Sequence, residues 1–580
     1  MASSHLPPKH VDVLVVGGGP AGSYAASALA REGISVALFE SSKFPRYHIG
    51  ESLIPSVRHY LRFIGAEEKV ADYGFTRKPG SAIKFNQFKR EGYTDFVALG
   101  CNNNAWNVDR SEFDHLLLNH ARTCGAAIYE QTKVNSISFS PDDSTRPVSV
   151  AWTHVPPPTP PSPPASPTQV MFNLDSPPEK PCPVKGTTTF RHLVDASGRA
   201  GIMSTGYLKN RYFNSSLKNI AVWGYWNNVG TYGVGTPRHG APWFEALTDE
   251  SGWAWFIPLQ NGKTSVGVVM NQEMYNAKNK NGASLTSPFD PSAAPNPNNS
   301  TMTARYLSNL SLAPGLVKLI SEKGQMEEGS VKSASDFSYS APSYAGNGYR
   351  IAGDAGAFID PFFSSGIHLA MTSALSAASS ICASIRGDCS EQDAAQWHTN
   401  RFATSYTRFQ VVVLSAYKQI RSQNVNVLTD IDENNYDRAF AFLRPVIQGA
   451  ADMGSRLSES ELQKSLDFCV NLFNPTSPEQ HETLLTNVKI GKELLDVTAP
   501  VVNPAALESA LHHHSAARHD DSDDSVSVLV EETEAKLVLD KVNARRVVHS
   551  EYSINNLESE PLGGYYVRLE LGNLGLCQTA

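Results

Sequence analysis

The stretch Val11-Asp12-Val13-Leu14-Val15-Val16-Gly17-Gly18-Gly19-Pro20-Ala21-Gly22 sets the architecture of this chain. Residues 11–16 are a β-branched apolar run that ends on glycine, the pattern of a buried strand. Gly17, Gly19 and Gly22 follow at G-x-G-x-x-G spacing. The first allows the tight turn, the second lets a phosphate approach the backbone, and the third lets helix and strand pack closely. Pro20 and Ala21 open an alanine-rich helix that runs to Glu32, and a second strand, SVALFE, ends at Glu40. Such a helix start presents free N–H groups and a partial positive charge to a pyrophosphate. Glu40 stands where an acid accepts hydrogen bonds from an adenosine ribose. The expected fold class is α/β with a Rossmann-like dinucleotide site contacted by Gly17, Gly19, Pro20, Ala21, Gly22 and Glu40. The glycine motif alone does not separate FAD from NAD.

Outward from this unit the chain is ordinary in composition, with 41% apolar and 18% charged residues over 580 positions. A net charge of −8 gives no electrostatic support for binding nucleic acid or an anionic membrane. Seven scattered cysteines without a CxxC pair read as reduced thiols, which points to the cytoplasm and away from disulfides or a metal site. No signal-peptide pattern precedes the first strand. The apolar segment Ile367–Ile385 is interrupted by serines and a threonine, and reads as a buried helix and not a transmembrane span. Residues 156–167 hold eight prolines between two strand-like runs, so they form a loop projecting from a hairpin.

The expected organisation is a core over 10–390 with an interleaved substrate β-sheet, after a flexible start at 1–9. Two loops interrupt it, a Pro-rich one at 155–187 and a polar one at 278–300. A helical C-terminal region covers 391–510, where apolar residues recur at helical spacing. A disordered linker at 511–530 and a strand-rich tail at 531–580 follow. The linker carries His512, His513 and His514, read as part of a solvated polar run and not a metal site.

Three further segments select FAD: Val108-Asp109-Arg110-Ser111-Glu112-Phe113-Asp114, Leu193-Val194-Asp195-Ala196-Ser197-Gly198, and Arg350-Ile351-Ala352-Gly353-Asp354-Ala355. Together they resemble the aromatic-hydroxylase class of flavoproteins, with Arg110 and Asp354 as cofactor contacts. Asp195 as a plain turn cap is the competing assignment for that residue. Gly252-Trp253-Ala254-Trp255-Phe256-Ile257-Pro258 matches W-x-W-x-I-P, and Phe358-Ile359-Asp360-Pro361-Phe362-Phe363-Ser364-Ser365-Gly366 matches F-x-x-P-x-x-S-x-G. As a pair these resemble the flavin-dependent halogenases. The resemblance implies that Trp253 and Trp255 wall the isoalloxazine region and that Ser365 and Gly366 hold chloride. It places Gly366 and Ile367 beside the flavin. Gly74-Phe75-Thr76-Arg77-Lys78-Pro79-Gly80 looks like the G-F-x-x-K-x-G motif of phenol-type halogenases, which makes Lys78 the catalytic lysine that receives chlorine from hypochlorous acid. Gly50-Glu51-Ser52-Leu53-Ile54-Pro55 resembles the family's segment near the flavin ring, with Ser52 as its contact.

Tryptophan-type members carry a glutamate where this chain has Phe363, which argues against a tryptophan substrate. The runs around Asp360–His368 and Phe88–Phe96 look like fungal halogenases of phenolic polyketides, so a phenolic small molecule is the expected substrate. Asp360 and His368 are the nearest acid–base types for a phenol base, with a ribityl or structural role equally open. The chain has no second dinucleotide fingerprint and no acyl-carrier module. A separate flavin reductase is therefore the expected source of reduced FAD, and a carrier-tethered substrate from another protein stays open. The rival readings are an FAD-dependent phenol hydroxylase and a flavin-binding protein without catalysis.

Overall fold

The computed structural model describes residues 6–88, 91–97, 102–157, 182–280, 289, 301–421 apart from 322 and 336, 423, 476, 478–488, 491–496, 533–543 and 561–579, with isolated positions from 502 to 511. β1 (His10–Val16), α1 (Pro20–Arg31) and β2 (Val36–Phe39) form the expected βαβ unit. β3 (Thr76–Lys78) and α2 (Arg110–Thr123) follow, then the long β4 (Val184–Asp195). β5 (Asn219–Asn227), β6 (Gly252–Pro258) and β7 (Thr264–Asn271) belong to a second sheet. α3 (Gly366–Arg386) and α4 (Glu391–Ile420) pack against each other.

β1 lies inside the first sheet with β2 and β4 parallel on either side, Val15 standing opposite both Leu38 and Val194. Val13, Leu14 and Val15 are fully buried, which is why this strand reads as an unbroken apolar run and not as an alternating one. α1 leaves the glycine turn with proline in its first turn, where the missing N–H costs no intrahelical bond. It packs on α2 and α3. α3 is long and apolar enough to cross a bilayer by length and composition, but almost its whole length is buried within the fold.

The second sheet is two-faced, as a period of two requires. Trp223, Tyr225, Trp253 and Trp255 share one core cluster with Phe402, Phe409, Val413 and Tyr417 of α4. Trp226, Ala254, Phe256, Val266 and Val268 lie in another, with the short helices Met302–Leu310 and Pro314–Ile320. α4 thus closes over the face that carries the tryptophan pair.

Several expected boundaries move. Pro8 and Lys9 are tied down, because Thr188 Oγ1 donates to Pro8 O and Thr189 N to Lys9 O. The hairpin around the Pro-rich loop forms between Pro147–His154 and β4, but residues 184–187 already lie in the strand. Residues 158–181 are outside the described residues. The polar loop starts later than 278, since Gln272–Lys280 is helical. The tail is not strand-rich throughout: 533–543 is a helix. Its Ala535, Val538, Leu539 and Val542 bury against Leu484, Leu495 and Leu511, so Leu511 belongs to a packed cluster and not to the linker. His512, His513 and His514 are outside the described residues. The final hairpin, Tyr565–Arg568 with Gly575–Gln578, docks on α3. There the Glu32 carboxylate accepts from Gly572 N, Leu574 N and Arg386. The described cysteines, Cys124, Cys182, Cys382, Cys389 and Cys577, are all free thiols.

Candidate active site

At the β1–α1 turn, Gly17 holds φ 107° and its Cβ would stand 2.2 Å from Ala196 O; a Cβ on Gly22 would stand 1.9 Å from Gly17 O. These two positions need glycine for close approach. Gly19 differs: its missing Cβ faces only the Arg46 guanidinium, at 3.5 Å. The open side of the turn therefore combines the start of α1 with a guanidinium, which suits a pyrophosphate. Glu40 closes the other side, where Oε2 accepts from Gly18 N at 2.6 Å and Oε1 from Ser42 N at 2.7 Å. A carboxylate keeps further lone pairs for a ribose after two such bonds. Gly353 brings the next contact inward: its Cβ would come 2.8 Å from the Ala21 methyl. Asp354 follows it, pushed up to about 6 by desolvation against the pull of Arg110, Arg199 and Arg211. A glycine cradle with no room for a Cβ, an arginine and two acids at one edge of the sheet fit FAD.

Arg110 opens α2, is buried, and grips Asp114 with Nε and Nη2 at 2.8 and 3.0 Å. Its Nη1 donates to Ile49 O at 2.8 Å and to Gly50 O at 3.3 Å. Arg110 therefore fastens the segment 49–56 to the dinucleotide half of the fold. Asp195 is the turn cap: its carboxylate accepts from Ser197 N, Ser197 Oγ and Met203 N.

Lys78 ends β3 and is 1% exposed. Its amine donates to Ser52 Oγ and to Leu53 O, each at 2.8 Å, and lies 5.3 Å from the Phe96 ring centre. Ser52 in turn donates to Asn107 Oδ1 at 3.2 Å and pairs with Asn107 as a β-bridge. Both oxygens that receive the amine are neutral. Desolvation pulls Lys78 down from 10.5 to about 7. The segment 50–56 thus links cofactor half and lysine: Arg110 holds one end and Lys78 the middle.

The Asp360–Gly366 turn prepares the start of α3. Ser364 takes the left-handed conformation (φ 57°, ψ 30°). Ser365 is fully buried, and its Oγ has no hydrogen-bond partner. Gly366 and Ile367 are the first residues of α3, where backbone N–H groups have no intrahelical acceptor.

Residues 12–103 and 185–438, more than half of the chain, match the family model described as tryptophan halogenase. The flavin-dependent halogenase armH1 of Armillaria mellea is 49% identical over 99% of both chains. The flavin-dependent halogenase ascD of Acremonium egyptiacum is 51% identical over 82% of this chain and 80% of its own. This chain belongs to the flavin-dependent halogenases. Its fold is similar to that of the solved myxobacterial chondrochloren halogenase CndH, with TM-score 0.58 and 24% identity over 81% of this chain and 99% of that one.

Within this halogenase, Trp253 and Trp255 lie on one face of β6, as their spacing demands. Trp253 Nε1 donates to Tyr417 OH at 2.8 Å, and Tyr417 OH donates to Asp360 Oδ2 at 2.7 Å. Asp360 also accepts from Asn219 Nδ2 and Phe362 N, and burial pushes it up to about 6. Asp360 is thus engaged, through Tyr417, in fixing the Trp253 indole. His368 is buried between Ser56 Oγ and Thr372 Oγ1. Phe363 sits edge-on to Phe362, which packs edge-on to Trp253. Phe363 is thus part of an apolar cluster with Phe362 and Trp253.

Sequence reasoning passed over Arg46, Glu51, Tyr225 and Tyr417. Arg46 had a signal, an arginine six residues after the acid Glu40. Glu51 was quoted only as part of a motif, yet it is a buried carboxyl pushed up to about 7 by burial, with Tyr225 OH donating to it. Tyr417 meets Asp360 only across the tertiary fold.

Proposed function

We propose that this halogenase chlorinates a phenolic ring of a small molecule through Lys78. Chloride sits at Ser365 and Gly366, and a separate flavin reductase supplies reduced FAD. The observation that carries the reading is a fully buried amine held by two neutral oxygens, Ser52 Oγ and Leu53 O. Bound reduced flavin and dioxygen supply the oxidising equivalents that convert chloride to hypochlorous acid.

The chain's own contributions follow from its geometry. The unpartnered Ser365 hydroxyl and the first N–H groups of α3 suit a small anion, and Gly366 leaves room for it. Lys78 near 7 holds a large neutral fraction at neutral pH, and the nitrogen lone pair can then bond chlorine. Ser52 and Leu53 O orient that nitrogen, and the Phe96 ring keeps water from it. Trp253, fixed by Tyr417, and Phe362 wall the interior so that an organic substrate meets the lysine end. A phenol activates its own ring, so the phenylalanine at 363 is no obstacle.

The test is incubation with a flavin reductase, FAD, chloride and a resorcinol-type phenol, read by mass spectrometry. The expected product carries the isotope doublet of one chlorine, becomes brominated when bromide replaces chloride, and vanishes in Lys78→Ala while FAD binding persists. Oxygenated product that ignores halide would establish the hydroxylase instead.

A further inference from the structure

The tryptophan pair is the inner end of a longer aromatic row. Trp253 and Trp255 have ring centres 5.7 Å apart, and Trp255 and Trp223 6.4 Å apart. Trp223 Nε1 donates to Tyr47 OH at 2.9 Å. The three indoles are at most 5% exposed, whereas Tyr47 is 48% exposed. The row therefore runs from the wall of the reaction chamber to solvent.

Its outer end is built to release a proton. Tyr47 OH and Tyr225 OH are 3.0 Å apart, and Tyr225 OH donates to Glu51 Oε1 at 2.8 Å. An indole N–H only donates, so the Tyr47 oxygen accepts from Trp223. Tyr225 commits its proton to Glu51, so Tyr47 donates to Tyr225. The ammonium groups of Lys332 and Lys263 lie 4.8 and 5.1 Å from the Tyr47 and Tyr225 ring centres. Burial and the Glu51 and Asp109 carboxylates keep the proton on Tyr47 while the phenol is reduced, and the ammonium groups oppose a cationic ring, so the proton leaves only on oxidation.

We propose that Trp253, Trp255, Trp223 and Tyr47 form an electron-hopping chain that carries oxidising equivalents from the halogenating interior to solvent, with Tyr225 and Glu51 taking the proton. Indole and phenol are the most readily oxidised of the ring side chains, and rings in contact exchange electrons rapidly. The proposal rests on the reading that the interior handles strong oxidants. The initiating oxidant is hydroxyl radical, left when hydrogen peroxide lost in uncoupled turnover takes one electron from reduced flavin and splits into that radical and hydroxide. A hydroxyl radical beside Trp253 takes one electron from the indole and one proton from solvent, and becomes water. Trp255 then reduces Trp253, Trp223 reduces Trp255, and Tyr47 reduces Trp223. The Tyr47 O–H bond breaks: its electron goes inward, its proton passes to Tyr225, and the Tyr225 proton passes to Glu51 and on to solvent. A thiol in solution returns a hydrogen atom to Tyr47, and the thiyl radicals pair as a disulfide.

The test uses the FAD-loaded protein, with the flash-excited oxidised flavin as one-electron oxidant, and reads freeze-trapped samples by electron paramagnetic resonance. The expected result is a neutral tyrosyl signal that narrows with deuterated tyrosine and is lost in Tyr47→Phe, a half-exposed position that tolerates the change. Trp223→Phe should lower its yield at least about tenfold. The yield should rise with pH through about 7, where burial places Glu51, and Glu51→Gln should flatten that rise. In chlorination turnover, Tyr47→Phe keeps the initial rate and inactivates sooner. A signal unchanged in Tyr47→Phe, or no tyrosyl signal when the flavin is bleached, overturns the chain. The chlorination assay on the wild type separates the two ideas: failure there refutes the halogenase chemistry, whereas the light-driven radical stands or falls on its own.

Discussion

Replacing Lys78 by methionine keeps the length of the aliphatic stem and removes the amine, so wild type and variant should differ in stability by an amount that changes with pH. Lys78 is held near 7 in the fold against 10.5 when unfolded, and desolvation is the cause. Between those values the unfolded chain binds more protons than the folded one. The cost of burying the lysine is therefore full below about 7 and fades as pH rises toward the unfolded value. From about 1.4 kcal/mol per tenfold in proton binding, that cost is about 5 kcal/mol at about pH 6 and about 2 kcal/mol at about pH 9. The variant also strands Leu53 O, a roughly 1–3 kcal/mol loss that does not vary with pH. Wild type should thus gain about 3 kcal/mol on the variant between those two pH values. Equilibrium urea unfolding of both proteins across that range reads it, and ¹³C NMR of labelled lysine reads the titration directly. A stability difference that stays flat with pH, or an amine that titrates near 10.5, would put the ammonium in water and refute the reasoning.

Three other outcomes follow from the geometry. Ser365→Ala removes a buried, unpartnered hydroxyl, so the chloride KM should rise about tenfold while the FAD Kd holds, as loss of one hydrogen bond to an anion requires. Gly22→Ala forces a methyl to 1.9 Å from Gly17 O, and flavin titration should show FAD affinity lost. Glu32→Ala leaves Gly572 N and Leu574 N without their acceptor; limited proteolysis should then cut the C-terminal hairpin, with stability lowered by about 1–3 kcal/mol.

The βαβ unit, α3 and α4 were legible because strand and helix periods, glycine spacing and proline are local properties of the chain. The tail helix at 533–543 was not, since its apolar face becomes meaningful only against Leu484 and Leu495. Asp360 and Lys78 show the same divide at the site. Both were singled out by neighbours in sequence, but the role of Asp360 comes from Tyr417, which arrives on a different helix.

Sequence by itself determined the dinucleotide turn, the βαβ unit around it and the halogenase motifs, because each is written in residues a few positions apart. Only the tertiary structure decided that Lys78 lies out of water against two neutral oxygens, that Ser365 keeps a free hydroxyl, and that Tyr225 meets Glu51. The physical reason is that desolvation and hydrogen bonding depend on which distant segments enclose a group, and no local pattern carries that information.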